Sequence, residues 1–162
     1  MATALELLEE RGPNGVTMRA LGQRLGVNPM AAYHYFESKE AVLRATAAYR
    51  YQRFRPRLHQ REVGARLLAL GLAYGRFLKS SRHLLGYLVT ASDAALAGPV
   101  QHFNGLFCTA LGSRRLRPGQ LQIARNAFVD LVHGFALAGP EASLDLLGDE
   151  LRLLILAIGR TR

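Results

Sequence analysis

The sequence predicts an all-α protein with a three-helix N-terminal head, which contains a helix-turn-helix, and a C-terminal helical body. Two observations carry this prediction. Apolar residues recur at spacings of three and four along most of the 162 residues, which is the period of an amphipathic helix. Residues 16–40 combine several helix-capping residues with a glycine turn. Because 49% of the residues are hydrophobic, the chain can bury a core.

The charge balance favours a polyanionic partner. The chain has a net charge of +9 and a pI near 10.6, which suits nucleic acid ahead of a membrane surface. Between Arg11 and Phe36 the sequence holds three arginines and no acidic residue. An arginine-rich surface without such a partner is the alternative interpretation.

Composition excludes several classes of protein. Cys108 is the only cysteine, so an intrachain disulfide and a cysteine-built zinc site are both impossible. The first ten residues carry acids where a signal peptide needs basic residues. No run reaches the roughly 18 apolar residues of a membrane span. We therefore expect a cytoplasmic protein with no membrane partner.

The first helix is predicted over residues 2–11, with Leu5 and Leu8 on one face. The run Gly12-Pro13-Asn14-Gly15 follows directly. Glycine and proline interrupt helical geometry, so this run is predicted to end the helix.

The second helix begins after Thr17, whose hydroxyl can accept a hydrogen bond from a free N–H of the first turn. Val16 and Leu21 have the spacing of a hydrophobic staple. Met18, Leu21 and Leu25 follow at i, i+3 and i+7, and they are predicted to form one apolar stripe.

A glycine turn joins this helix to a third one. Gly26 suits the left-handed position that ends a helix, and Asn28 can cap the next helix with Pro29 at its first position. The third helix is short, because Ser38 caps a fourth helix with Glu40 in its first turn. The helices on either side of Gly26 therefore form a helix-turn-helix, whose second helix is suited to the DNA major groove.

The segment G-V-N-P-M-A-A-Y-H-Y-F-E-S-K-E-A-V-L resembles the signature of the TetR family of bacterial transcriptional repressors. It covers about the first third of the chain, and Ala32 departs from it, since the family more often has leucine there. The resemblance implies a DNA-binding domain at residues 1–54 and an effector-binding and dimerisation domain at residues 55–162. The matching positions are Thr17, Ala20, Leu25, Gly26, Val27, Tyr33, Phe36, Ser38, Lys39, Glu40 and Leu43.

The helices of the body follow from apolar periodicity and from the residues that interrupt it. Pro56 is predicted to close the fourth helix, and Gly98-Pro99 is predicted to break the chain. The next predicted helices cover residues 61–79, 83–91 and 100–111, and two more occupy the end of the chain.

Each of these last two helices carries a regular apolar seam, and further leucines lie outside it. The seams resemble the two helices that form the dimer interface of the TetR family, so we expect a homodimer. Burial in an ordinary intramolecular core is the alternative. The predicted interface residues are Leu121, Ala124, Phe128, Leu131, Phe135, Leu144, Leu147, Leu151, Leu154 and Ile158.

The predicted partner of the head is double-stranded DNA with a palindromic operator, because a dimer presents two recognition helices. Ala32 and Phe36 are expected to face inward. The outer face lacks bidentate groups and suits thymine methyl groups, and Arg19 is the one nearby side chain that could read a guanine. A phosphate contact fits Arg19 equally well. The predicted DNA-binding residues are Thr17, Arg19, Asn28, Pro29, Met30, Ala31, Tyr33, His34, Tyr35 and Lys39.

Among these residues, Thr17, Tyr33, Tyr35 and Lys39 resemble the phosphate-contacting positions of the family. For Tyr33, a ring packed beneath the helix is the alternative.

By family resemblance, a small and mostly apolar effector binds between the body helices and releases the DNA. Each candidate contact residue is also compatible with a plain core position. No cofactor and no metal are expected. The candidate effector-binding residues are Tyr74, Phe77, His83, Tyr87, Phe103, Phe107, Phe128 and His133.

Other functions have less support in the sequence. An enzyme is not expected, because the chain contains no nucleophile elbow, P-loop, dinucleotide-binding turn or His-Glu metal motif. A nonspecific basic DNA-binding protein would need none of the capping geometry of residues 16–40. An activator, or a regulator without a ligand, would have the same fold, and the sequence does not separate these from a repressor.

Overall fold

The computed structural model describes residues 1–114, 116–139 and 142–160, which form nine α-helices and no β-strand. The all-α class predicted from the sequence is confirmed. Within these described residues, no helix is both long enough and apolar enough to cross a membrane. The helices are α1 (Ala2–Gly15), α2 (Met18–Leu25), α3 (Pro29–Tyr33), α4 (Lys39–Gln52), α5 (Val63–Lys79), α6 (Arg82–Thr90), α7 (Asp93–Leu111), α8 (Pro118–Leu137) and α9 (Leu144–Arg160).

The helices group into two compact units. Unit 1 contains Met1–Phe54 and Ser81–His102, and therefore holds α1 to α4, α6 and the first half of α7. Unit 2 contains Arg55–Ser80 and Phe103–Arg162, and therefore holds α5, the second half of α7, α8 and α9. The chain first leaves unit 1 after Phe54, where the sequence-based division has its boundary, but it returns to unit 1 for residues 81–102.

Helix α1 is interrupted at Gly12, where the sequence predicts its end. Gly12 has a φ of 67° and a ψ of −178°, and a Cβ atom placed there would lie 3.2 Å from Nδ1 of His83. Only glycine adopts this φ without strain. Leu8 is buried as predicted, whereas Leu5 is only half-buried. The buried face of α1 is formed by Ala4, Leu7 and Leu8.

Helix α7 corrects one prediction, because the Gly98-Pro99 pair does not break the chain. The helix runs from Asp93 to Leu111 with Pro99 inside it. Proline disfavours the helical region for the preceding residue partly through a clash with that residue's Cβ, and Gly98 has none. A Cβ on Gly98 would also come within 3.3 Å of the Ala48 side chain. Glycine therefore permits both the helical backbone and this close packing.

In unit 2, α5 packs closely against α8 and α9 through two glycines. A Cβ on Gly71 would lie 2.5 Å from the Leu151 side chain and 3.0 Å from the Phe128 ring. A Cβ on Gly75 would lie 2.8 Å from the Leu147 side chain. Residues four apart share one face of a helix, so the two glycines form a smooth strip that receives these side chains.

The seams predicted on α8 and α9 lie largely inside unit 2. A side chain that is already buried in one chain has almost no surface left to cover in a dimer, so the six buried residues fit the alternative of an intramolecular core. The packing of α8 and α9 against α5 is what covers this face. The buried residues are Ala124, Phe128, Phe135, Leu147, Leu151 and Ile158, and the half-buried ones are Leu121, Leu131, Leu144 and Leu154.

A cluster of aromatic rings fills the core of unit 2. The Tyr74 ring centroid lies 4.5 Å from that of Phe103 and 5.7 Å from that of His133. The Tyr74 hydroxyl and Nε2 of His133 are 2.9 Å apart, so each polar group has a hydrogen-bond partner. Phe128 meets Phe107 edge to face at 5.4 Å.

Six of the eight predicted effector-binding residues belong to this aromatic cluster. They are Tyr74, Phe77, Phe103, Phe107, Phe128 and His133.

The half-buried His133 predicts a pH-dependent stability. Burial lowers the pKa of His133, and the charge of Asp130 opposes this only in part. As the pH falls below 6.5, the ordinary pKa of histidine, the unfolded chain binds a proton that the folded chain resists. The free energy of unfolding should therefore fall down to the lowered pKa, by at most about 1.4 kcal/mol per pH unit for one proton.

Urea unfolding on both sides of pH 6.5 measures this effect. The His133→Gln variant should show a shallower pH dependence than the wild type, because glutamine does not titrate. His59→Gln changes an exposed histidine of the same unit and should leave the profile unchanged. Identical profiles for the wild type and His133→Gln would contradict the prediction.

Candidate nucleic-acid interface

The start of α2 confirms the predicted cap. The Thr17 hydroxyl accepts a hydrogen bond from the Ala20 amide at 3.0 Å, and its own proton stays available for donation. Val16 and Leu21 are both buried, as a hydrophobic staple requires. Met18 is also buried, so the apolar stripe of α2 begins as predicted.

The end of α2 corrects the same stripe. Leu25 is 56% exposed and lines a shallow groove of about 90 Å³ with Met1, Ala32 and Tyr35. Helix α2 ends at Leu25 and the chain turns at Gly26, so Leu25 is the last residue of the stripe and is not covered as Met18 and Leu21 are. The spacing of apolar residues places Leu25 on the same face as Met18 and Leu21, but it does not show how far along that face the packing of neighbouring helices extends.

The turn after α2 is a Schellman motif. Gly26 adopts a φ of 67° and a ψ of 27°, the left-handed conformation predicted for it. The Val27 amide donates to the Gly22 carbonyl at 2.9 Å, and the Gly26 amide donates to the Gln23 carbonyl at 3.3 Å. These bonds satisfy the last carbonyls of α2 and fix the direction in which the chain leaves it.

Gly22 sets the distance between the two helices of the motif. A Cβ on Gly22 would lie 2.8 Å from the Pro29 α-carbon, 2.9 Å from the Pro29 nitrogen and 3.0 Å from the Val27 carbonyl oxygen. All three are backbone atoms, which cannot rotate away as a side chain can. The backbones of α2 and α3 therefore meet only because this residue has no side chain.

Helix α3 begins as predicted and is short. The Asn28 side-chain oxygen accepts from the Met30 amide at 2.9 Å, and Pro29 occupies the first helical position. The helix ends at Tyr33. The Ser38 hydroxyl then accepts from the Ala41 amide at 3.1 Å to cap α4.

The residues predicted to contact DNA all reach the surface. The side chains of Met30, Tyr33 and Tyr35 are 64%, 51% and 83% exposed, although each carries a large apolar surface. The exposure of Tyr33 excludes the alternative of a ring packed beneath the helix. Ala32 and Phe36 are half-buried, consistent with the inward side. The other exposed members are Thr17, Arg19, Asn28 and His34, and the half-buried ones are Pro29, Ala31 and Lys39.

An ion pair joins α1 to α2 and removes one cation from the predicted basic surface. Both terminal nitrogens of Arg24 donate to the carboxylate of Glu10. The pair is partly exposed, so it contributes little to stability, but it reduces the positive charge of the head. Residues 11–36 contain no acidic side chain, but the fold brings the carboxylate of Glu10 next to Arg24. Residues 14 apart give no periodic signal for this contact.

A second polar contact ties α6 to the start of α4. The Tyr87 hydroxyl donates to the Glu40 carboxylate at 2.5 Å. Burial and this hydrogen bond to Glu40 raise the pKa of Tyr87. Tyr87 therefore holds the first turn of α4 in place within unit 1. It does not join the aromatic cluster of unit 2, as the sequence-based grouping of effector residues assumed.

The third polar contact joins α1, α4 and α6. The Arg50 Nε atom donates to the Ser81 hydroxyl at 3.2 Å, and the Glu9 side chain also bonds to Ser81. Burial raises the pKa of Glu9, while Ser81, Arg50 and His83 oppose the rise. His83 belongs to this group and is exposed, so it too lies apart from the aromatic cluster. These contacts have no periodic signal in the sequence, because Arg50 and Ser81 are 31 positions apart.

Comparison with known sequences matches the head to one family. Residues 1–46 match the family described as "Bacterial regulatory proteins, tetR family". The chain is 51% identical over 45 residues to the tetracycline repressor protein class C of Escherichia coli. This match covers 28% of the chain and 20% of that repressor, so the chain matches about a fifth of the length of this curated relative.

Comparison with solved structures extends over both units. A TetR variant from Acinetobacter baumannii, crystallised in complex with minocycline, has a TM-score of 0.69 and 27% identity, covering 98% of this chain and 93% of that one. The transcriptional regulator SCO7222, a TetR from Streptomyces coelicolor, has a TM-score of 0.78 and 17% identity, covering 99% and 96%. The second match supports the fold alone.

The close approach at Gly22 predicts that Gly22→Ala destabilises the head. The added methyl group must separate backbone atoms, and overpacking of this kind costs about 1–3 kcal/mol. Thermal and urea unfolding measure the change. Gly86→Ala is the matched control in unit 1, because a Cβ on Gly86 meets nothing within 4 Å. The control should be neutral or stabilising by up to about 1 kcal/mol, as expected for alanine inside a helix. Equal stability of the two variants would refute the proposed constraint.

Proposed function

Since this chain belongs to the tetR family of bacterial transcriptional regulators, we propose that it is a homodimeric repressor. In this proposal its helix-turn-helix binds a palindromic operator, and a small, mostly apolar effector releases it. The observation that carries the proposal is the pairing of α2 and α3 at Gly22, which leaves the side chains of α3 exposed on a fixed support. Such a support is what readout in the major groove requires.

The exposed face of α3 determines the kind of sequence that is read. Met30 and Ala31 offer apolar contact to thymine methyl groups. The Asn28 side-chain oxygen is used by its cap, so only its NH₂ group is left to donate to a base or a phosphate. Arg19 is exposed and has the fork that can read a guanine, although a phosphate contact uses the same geometry. We therefore propose that thymine methyl groups dominate the readout.

Phosphate contacts fix the position of the head on the duplex. The Thr17 hydroxyl proton and the exposed hydroxyls of Tyr33 and Tyr35 can donate to phosphate oxygens. Lys39 lies in the first turn of α4, where the helix dipole disfavours a cation. A phosphate bound there is attracted by both Lys39 and the free N–H groups of α4, so the charge placement favours an anion.

A second copy of the chain is the proposed partner of α8 and α9. These helices expose five large apolar side chains, and each is more than half exposed. On both helices the exposed positions share one face, opposite the buried seam. A dimer through this face would make the operator palindromic, because an isologous dimer repeats its contacts about a two-fold axis. The five residues are Ile123, Leu137, Leu146, Leu153 and Leu156.

The proposed effector binds in unit 2, at the aromatic cluster around Tyr74 and His133. The hydrogen bond between these two residues is a polar pair among apolar rings, and small-molecule sites combine apolar walls with a few polar groups. Because the rings fill the core of unit 2, the effector must displace some of them to bind. The TetR structure from Acinetobacter baumannii with minocycline gives one example of a ligand bound by a related fold. An activator, or a regulator without ligand, is the alternative with the same fold. A nonspecific basic DNA-binding protein is the less favoured one.

Two substitutions separate phosphate contacts from base readout. Lys39→Gln should weaken binding to the fragment upstream of the chain's own gene and to random DNA equally. It should also reduce the slope of log affinity against log salt by about 0.9, the value for one phosphate contact. Arg19→Gln should lower the ratio of the two affinities if Arg19 reads a guanine, and otherwise behave like Lys39→Gln. Filter binding over a salt series measures both quantities.

Arg76→Gln is the control, since it removes an exposed arginine of α5 in unit 2. It should leave the affinity ratio and the salt slope unchanged. A wild-type affinity ratio near one would favour the nonspecific alternative, and a salt slope near zero would overturn DNA binding altogether.

Leu153→Asp should convert the dimer to monomer. Leu153 is 71% exposed, so the substitution leaves the core of unit 2 intact while it places a charge in the proposed interface. Analytical ultracentrifugation measures the mass, and operator affinity should fall with it by about tenfold or more. Val89→Asp is the control, because Val89 is 58% exposed on α6. A wild-type monomer, or a dimeric Leu153→Asp variant, would contradict this interface.

A further inference from the structure

Unit 2 contains a cleft that shares only Leu156 with the proposed dimer face. It has a volume of about 340 Å³, within the range of roughly 300–1,000 Å³ that small-molecule sites occupy. It lies where the start of α5 meets the end of α9, and it contains none of the residues predicted to bind an effector. Its lining residues are Val63, Gly64, Leu67, Arg114, Ile155, Leu156, Ile158, Gly159 and Arg160.

The walls of this cleft are apolar. Leu67 and Ile158 are buried, and Val63 and Ile155 are half-buried along its sides. Leu156 is 58% exposed. A ligand with an alkyl chain would cover the accessible parts of Val63, Ile155 and Leu156 and gain roughly 25 cal/mol for each Å² of apolar area removed from water.

Two arginines hold the walls in position. Arg66 donates from Nε to the Ala110 carbonyl at 2.8 Å and from Nη1 to the Gln60 carbonyl at 3.0 Å, which ties the start of α5 to the end of α7. Arg114 donates from Nη2 to the carbonyls of Ile158 and Gly159, at 3.1 and 2.6 Å. The cleft is therefore preformed, which lowers the entropic cost of binding.

The charge of the lining is positive. Arg114 and Arg160 both line the cleft, and none of its lining residues is acidic. Arg114 donates hydrogen bonds to carbonyls at the end of α9, and its positive charge offsets the negative end of the helix dipole. Arg160, in the last turn of the same helix, is exposed and contributes a further positive charge. Apolar walls with guanidinium groups at one end match a molecule with an alkyl chain and an anionic head group.

We propose that this cleft binds an amphiphilic anion, an alkyl carboxylate or an alkyl phosphate. The alkyl chain lies against Val63, Ile155 and Leu156, and the anionic head group pairs with Arg160. The site is separate from the aromatic cluster around Tyr74, and its occupancy does not depend on the DNA-binding proposal.

The isoleucines of the chain provide a direct test. There are only three, at positions 123, 155 and 158, and two of them line the cleft. In a protein labelled at the isoleucine δ1 methyl groups, sodium octanoate and octyl phosphate should shift the NMR signals of Ile155 and Ile158. The signal of Ile123, which is 72% exposed on α8, should stay in place. A shift larger for octyl phosphate than for octanoate, or the reverse, identifies the preferred head group.

Charge and shape are tested separately. 1-Octanol should bind about three- to fivefold more weakly than octanoate, and Arg160→Gln should remove this difference, because an exposed ion pair contributes up to about fivefold in affinity. Gly159→Phe should weaken octanoate binding by about tenfold or more, because a Cβ on Gly159 meets nothing within 4 Å and the ring fills the cleft. Gly105→Phe is the matched control, an equally open glycine on α7 outside the cleft, and should bind octanoate as the wild type does.

Three results would overturn the proposal. They are a shift of Ile123 without shifts of Ile155 and Ile158, equal binding of octanol and octanoate, and undiminished binding by a folded Gly159→Phe variant. All measurements are made without DNA. Loss of operator specificity with an intact octanoate response would therefore refute the repressor proposal alone.

Discussion

At Gly22 the backbone of α2 comes so close to Pro29 that no side chain fits between them, and the arrangement of the two helices follows from this contact. The Schellman turn at Gly26 brings the chain back at the required angle. The caps at Thr17 and Asn28 then fix where each helix begins. Helix α3 buries none of its own residues, so its position depends on this backbone contact more than on a core of its own.

Helix α6 belongs to the same compact unit as the helix-turn-helix, although it is distant from it in sequence. Tyr87 bonds to Glu40 at the start of α4, and Ser81 accepts from Arg50 near its end. Both contacts involve a charged group in a partly buried position, where hydrogen bonds are stronger than in water. The position of α4, which carries Lys39, is therefore coupled to α6 within unit 1.

Local features of the fold were predictable from the sequence, and features that depend on distant residues were not. The caps at Thr17, Asn28 and Ser38 bond to amides two or three positions later, so residue type and spacing were sufficient. The continuity of α7 does not follow from Pro99 alone, because the helical backbone there also depends on Gly98 having no side chain. The exposure of Leu25 was missed because periodicity gives a face and not the extent of its cover.

Most of the helices, the turn at Gly26 and the family resemblance can be read from local sequence, because each rests on residues within a few positions of one another. Tertiary structure alone decided which faces are covered. It placed Phe128 and Leu151 against Gly71 of α5, paired Arg24 with Glu10 and left the outer leucines of α9 exposed. The physical reason is that burial depends on which helix lies opposite, and apolar periodicity is the same whether the neighbour belongs to the same chain or to another.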